Sequence, residues 1–178
     1  VAVTGSDIKF KLSVKTGSAG NSTSSTPAAS LGKYVSTTEI TDASVSNVFD
    51  TISGDENAAS DVEYRCFFVH NSSAQTWFGV KAWLSSETSG GADAAIGLDT
   101  TAASAVGASS AQAVEVTDEQ TAPSGVSFSA PTTKGAGLSV GDLTAGQVKA
   151  IWVRRTATNS AAIDIDGVVI RVEGDTAA

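Results

Sequence analysis

The chain has 178 residues, 41% of them apolar and 17% charged, with a formal net charge of −8 and a pI near 4.4. That is the length of one domain with enough apolar matter for a core. It is too hydrophobic for a disordered chain and lacks an apolar run long enough to span a bilayer. The acidic balance repels phosphate backbones and anionic lipid surfaces, so neither nucleic acid nor a membrane is expected as partner.

In chain order, residues 1–6 and 173–178 read as flexible tails around a single domain. The opening stretch has no apolar segment behind a basic head, so it does not read as a signal peptide still in place. A Met-free chain that begins at Val fits loss of an initiator Met. Residues 7–15 alternate without a break, which places Ile8, Phe10, Leu12 and Val14 on one buried face and Lys9, Lys11 and Lys15 on the other. Residues 17–30 are rich in Gly, Ser, Thr and Ala, too poor in large apolar side chains to pack, and read as a flexible loop. Residues 33–40 are rich in β formers, while Val45, Val48, Phe49 and Ile52 fit either a strand or a short helical turn.

Residues 53–57 read as an acidic turn before the strongest strand pair, 62–70 and 76–84. The polar loop between those strands implies a hairpin or an adjacent crossover. From 85 to 113 small residues dominate, with only Ile96, Leu98 and Val106 as larger anchors. Short strands are expected at 113–116 and 125–129. Residues 138–147 form a turn-rich lead into a strand at 148–156. The last strand is expected at 162–172, with Gly167 as a kink and with Asp164 and Asp166 on one solvated face. Helical periodicity is not sustained. The expectation is an all-β, two-layer antiparallel sandwich of eight to ten short strands, jelly-roll or immunoglobulin-like, with long small-residue loops.

Chemistry is thin. His70 is the sole histidine, and no Gly-x-Ser-x-Gly or other nucleophile signature surrounds a serine. Cys66 stands alone, so no intrachain disulfide forms, which suits synthesis in a reducing cytoplasm; in its apolar strand it reads as a small core residue. The sequons at Asn21 and Asn71 are of a kind that a Ser/Thr-rich chain generates by chance. Asp164 and Asp166 lack the further oxygen ligands of a calcium loop, and no glycine motif suits phosphate. No enzyme activity, metal or cofactor is expected. Arg154 and Arg155 read as part of a solvated strand face. Trp77, Trp83 and Trp152 alternate as core residues do, except that Trp77 and Phe78 are adjacent, so one of the two must face outward.

One stretch, residues 54–71, carries an acidic turn and the strand Glu63-Tyr64-Arg65-Cys66. It is followed by Val80-Lys81-Ala82-Trp83-Leu84, by Ile96-Gly97-Leu98-Asp99, by Leu143-Thr144-Ala145-Gly146 and by Ile151-Trp152-Val153-Arg154-Arg155-Thr156. Over this span, 54–156, the chain resembles virion structural proteins of tailed bacteriophages, of the head decoration or cement type. The resemblance implies a non-enzymatic protein made in the host cytoplasm. It would sit on the outer capsid surface, clamp neighbouring major capsid protein subunits, and act as a small homo-oligomer, dimer or trimer. Lys9, Lys11, Lys15 and Trp77 are the candidate partner contacts, and the first strand or the 17–30 loop could add to a capsid sheet edge. The competing readings are another virion part, tail tube or tail tip, and a carbohydrate-binding module using Trp77 and Phe78.

Overall fold

The computed structural model describes residues 2–24 and 26–176. Among these are nine strands: β1 (Ile8–Val14), β2 (Tyr34–Glu39), β3 (Val62–Asn71), β4 (Trp77–Glu87), β5 (Asp93–Leu98), β6 (Ser104–Ala105), β7 (Leu138–Leu143), β8 (Gln147–Thr156) and β9 (Val168–Thr176). One short helix, α1 (Gly54–Ala59), precedes β3. The chain is mostly β and forms two antiparallel sheets, as expected of a sandwich. The large sheet runs β2-β1-β3-β8-β5 with β6 also on β8, and the small sheet runs β7-β4-β9.

Alternation explains the layers. Phe67 and Val69 of β3 and Ile151 and Val153 of β8 face the small sheet, where they meet Trp77, Val80, Ala82 and Leu84 of β4 and Leu143 of β7. Phe10 joins this core against Phe67, ring centroids 5.9 Å apart. The intervening residues, Cys66, Phe68, Val148, Ala150 and Trp152, point to the other face and pack with Val35, Ala113 and Val116 into a second core. The two central strands are therefore buried on both faces, which is why they read as nearly continuous apolar runs.

The covering of that second core is the small-residue region after β5. Ala113 N–H and Gln112 N–H donate to Lys33 C=O at 3.1 and 2.7 Å, and Val116 N–H to Leu31 C=O at 3.1 Å. Gly32 permits the crossing. Its φ is +91°, and a Cβ there would lie 1.8 Å from Val114 O.

Several local expectations change. β3 and β4 belong to different sheets, so their link is a crossover and not a hairpin. Residues 113–116 and 125–129 form only single bridges, Gly32 to Glu115 and Ile96 to Ser129. The turn-rich lead contains β7, with Gly141 at φ +88° beside a register shift. The acidic turn is α1, opened by a capping box between Ser53 and Glu56. β9 starts at Val168, and the preceding loop places Ile165 in the left-handed region at φ +59°. Asp166 there accepts the Ala92 N–H at 2.7 Å, so Asp164 and Asp166 are not strand-face residues.

The 17–30 segment lies along β2. Gly20 N–H donates to Val35 C=O and Thr37 N–H to Ser22 C=O, both at 2.8 Å, and Ala19, Ser24 and Ser30 are buried. Small side chains let this backbone approach the strand closely; Ser25 lies outside the described residues. Residues 173–176, read as tail, are the end of β9. At the other end Val3 packs against the inter-sheet core and Gly5–Asp7 form a 3-10 turn. Val1, Ala177 and Ala178, the remainder of the expected tails, lie outside the described residues.

Candidate partner-contact surface

The register of β1 builds the basic spot. Lys9 stands opposite His70 on β3, and Lys11 stands between Glu39 on β2 and Phe68 on β3. Lys9 Nζ is 3.7 Å from Glu39 Oε2, and Lys11 makes no ion pair among the described residues. His70 is buried between them with Nδ1 lacking a hydrogen-bond partner among the described residues. Its burial, followed by the charge of Lys11 and, less strongly, Lys9, pulls its imidazole below the usual 6.5 while Glu39 works in the opposite direction. Two lysines and one carboxylate thus share this part of the face, leaving one positive charge in excess.

Lys15, the third lysine of the row, serves a different purpose. Its ammonium donates to Val116 O at 2.8 Å and Thr117 O at 3.2 Å, strapping the covering loop to β1. Lys33 supports the same loop through Glu115 at 3.0 Å. Trp77 is 5% exposed inside the inter-sheet core, and its neighbour Phe78, 40% exposed, is the side chain turned outward. A bulge after Trp77, with Gly79 at φ +56°, sets that orientation.

Two polar clusters lie outside the candidate contacts. At one end of the sandwich the guanidinium of Arg65, fully buried, pairs with Glu119, and Arg155 pairs with Glu63, its cross-strand neighbour in register. Both guanidinium groups lie over the Phe49 ring, at 5.3 and 4.6 Å from its centroid. Burial pushes the Glu63 carboxyl above its usual 4.5, against the pull of Arg155. Arg155, expected on a solvated face, is instead a half-buried latch that fastens the 49–50 segment to the sheet through Asp50 and Phe49. Arg154 lies 5.6 Å from the Phe128 ring. The charges pair with one another, although Glu63 Oε1, Arg65 Nε and Arg154 Nε are buried without a hydrogen-bond partner among the described residues.

The second cluster centres on Asp99, 3% exposed. It accepts N–H groups from Trp152 Nε1 at 2.7 Å, Thr101 at 2.8 Å and Val114 at 2.9 Å. Lys149, its ammonium donating to Asp99 O at 2.7 Å, closes the site, and burial lowers the lysine's pKa. Gln112 completes the covering loop by accepting Val35 N–H at 3.0 Å and donating to Ala105 O at 2.8 Å. The only sequence cue was an acid directly after an apolar strand.

Cys66 is fully buried, and burial drives its thiol pKa well upward, away from nucleophilic use. Among the described residues no group of three His, Cys, Asp or Glu side chains is arranged to hold a metal ion, and no helix is long and apolar enough to cross a membrane. A cavity of about 330 Å³ lies where Val3, Ile8, Phe10 and Trp77 approach the end of β9. Compared with known protein families, curated proteins and solved structures, the chain matches none.

Proposed function

We propose that the chain is a non-enzymatic virion component that binds the outer surface of a tailed-phage head and stabilises contacts between major capsid protein subunits as a small homo-oligomer. One observation carries the reading. The two segments that most support the phage resemblance, 63–66 and 151–156, are neighbouring strands in register, Glu63 opposite Arg155 and Cys66 opposite Trp152. Their charged residues pair with each other and with loops of the same chain. Such residues form a scaffold whose surface is free for assembly. The half-buried lysines Lys9 and Lys11 of β1 are the proposed contact for an acidic rim of a capsid subunit.

The same pairings favour a jelly-roll kinship over an immunoglobulin-like one. β3 pairs with β8 in one sheet and β4 with β7 in the other, while β5 returns to the far side of β8. That is a long antiparallel ribbon wrapped across two layers.

The test is sedimentation of expanded heads, assembled without this chain, after addition of the purified protein. Saturable co-sedimentation that falls on Lys9→Glu with Lys11→Glu supports the proposal. Retention of the chain in the supernatant under assembly conditions removes it.

A further inference from the structure

Sheet edges are the places where a β protein must manage unpaired backbone groups. The outer flank of β2 exchanges hydrogen bonds with the 20–22 backbone, and β5 is bridged by Ser129. β9 has β4 on one side and, among the described residues, nothing on the other. It is nine residues long, alternating half-buried Val168, Ile170 and Val172 with exposed Val169, Arg171 and Glu173. A long regular edge of this kind, with a valine 52% exposed, is a template for another strand.

We propose that the open edge of β9 pairs antiparallel with β9 of a second copy of this chain, about a two-fold axis at Val172. In a regular sheet opposed residues share a face, so self-pairing about an axis normal to the sheet must centre on a residue. A centre at Arg171 or Glu173 sets like charges against each other. The centre at Val172, the middle of the nine, pairs the strand over its whole length. It sets Arg171 opposite Glu173 of the second copy twice, an arrangement favoured in cross-strand pairs. Among the described residues Arg171 has no ion pair of its own, whereas Glu173 already holds Lys134 at 2.6 Å. The incoming arginine therefore joins a carboxylate already paired with a lysine. On the outward face the same register puts Val169 of the second copy in one cross-strand row with Asp175 and Phe78, which bear on each other in the β4–β9 ladder. The two exposed apolar side chains of that face then lie two strands apart, with Asp175 between them. The small sheets then fuse into one six-stranded layer, an isologous interface.

This names the surface behind the oligomeric part of the proposed function, and its test uses the isolated chain with no capsid present. A failure here leaves binding to heads to be judged separately. Sedimentation equilibrium should give a monomer–dimer equilibrium. R171E and E173R singly each set like charges opposite at two places and should weaken the dimer about tenfold. The double reversal restores opposite charges and should recover it. V172C should give a disulfide-linked dimer on mild oxidation, because the residue faces itself across the axis, while Cys66 is buried and does not take part. A parent chain that stays monomeric up to about 1 mM overturns the proposal. So does a trimer, a dimer indifferent to both single reversals, or a V172C dimer that does not crosslink.

Discussion

Replacing Asp99 tests whether the covering loop is held by one buried carboxylate. Asp99→Ala leaves three N–H donors without their acceptor: the Trp152 indole, Val114 and Thr101. Trp152 is fully buried, so its N–H cannot turn to water. Losing a charged acceptor there costs ~1.5–3 kcal/mol. Val114 and Thr101 are half-buried, and water recovers part of their bonding, leaving ~0.5–1 kcal/mol each. The sum is ~2.5–5 kcal/mol, a large share of the ~5–15 kcal/mol that holds a domain of ordinary stability. Asp99→Asn keeps one acceptor oxygen, which can serve Trp152 and Val114 together, while its amide then faces the Thr101 N–H; its cost is ~1–2 kcal/mol. Urea unfolding followed by tryptophan fluorescence should rank the parent above Asp99→Asn and Asp99→Ala last. Amide exchange at Val114 should accelerate in both variants. The reasoning fails if Asp99→Ala costs less than ~1 kcal/mol, since no buried donor could then have been orphaned. Exposed Asp93→Ala serves as the control and should leave the midpoint in place.

Gly32→Ala would put a Cβ 1.8 Å from Val114 O at a residue with φ +91°, so it should cost more than ~2 kcal/mol and free the 112–116 segment; amide exchange at Gln112 and Ala113 reports it. Trp77→Ala should cost ~3–5 kcal/mol and Phe78→Ala less than ~1 kcal/mol by urea midpoint, and equal losses would contradict the inward and outward placement of the two rings. His70 has a folded pKa below its usual 6.5, so the unfolded chain takes up the proton first. Its contribution to stability is present above pH 6.5 and is lost as pH falls from there through the folded value. As the sole histidine it gives one imidazole Hε1 resonance, which should titrate below 6.5 and move upward in Lys11→Gln.

What the sequence makes legible is decided by range. β1, β3 and β8 are visible because period-two alternation or a two-face apolar run is a local property, and Phe67, Phe68, Ile151 and Val153 carry it. β7 is hidden because Gly141 interrupts it and its apolar residues are few. α1 looked like a turn, although Ser53 followed three residues later by Glu56 is the capping pattern that starts a helix. The second core is not readable at all in this way. Its covering is a run of Ala, Gly and Ser whose hydrogen-bond partners lie far away in the chain: Gln112 with Lys33 and Val35, and Asp99 with Trp152. Small residues signal a loop locally, while their real use is close backbone approach, which only the assembled sheet reveals. Of the four candidate contacts, Lys9 and Lys11 remain half-buried on the face of β1, whereas the roles of Lys15 and Trp77 depend on the loop above β1 and on the bulge after Trp77.

Burying the large sheet on both faces restricts how this chain can meet a partner. A sandwich with one wet face can offer a broad flat surface, but here that area is occupied by the chain's own 99–131 segment, fixed by Asp99, Gln112 and Lys15. What remains includes the lysines of β1, the outer face of the small sheet and its edges, of which β9 is the longer. These differ in the forces they offer. The lysines supply charge, which sets encounter rate and orientation and weakens with salt. The edge supplies backbone hydrogen bonds, whose geometry is specific and far less screened. Raising salt should therefore weaken attachment to an acidic partner surface more than it weakens pairing between copies. A preformed oligomer would present several lysine pairs at once, so that modest individual contacts add through multivalency to a firm attachment.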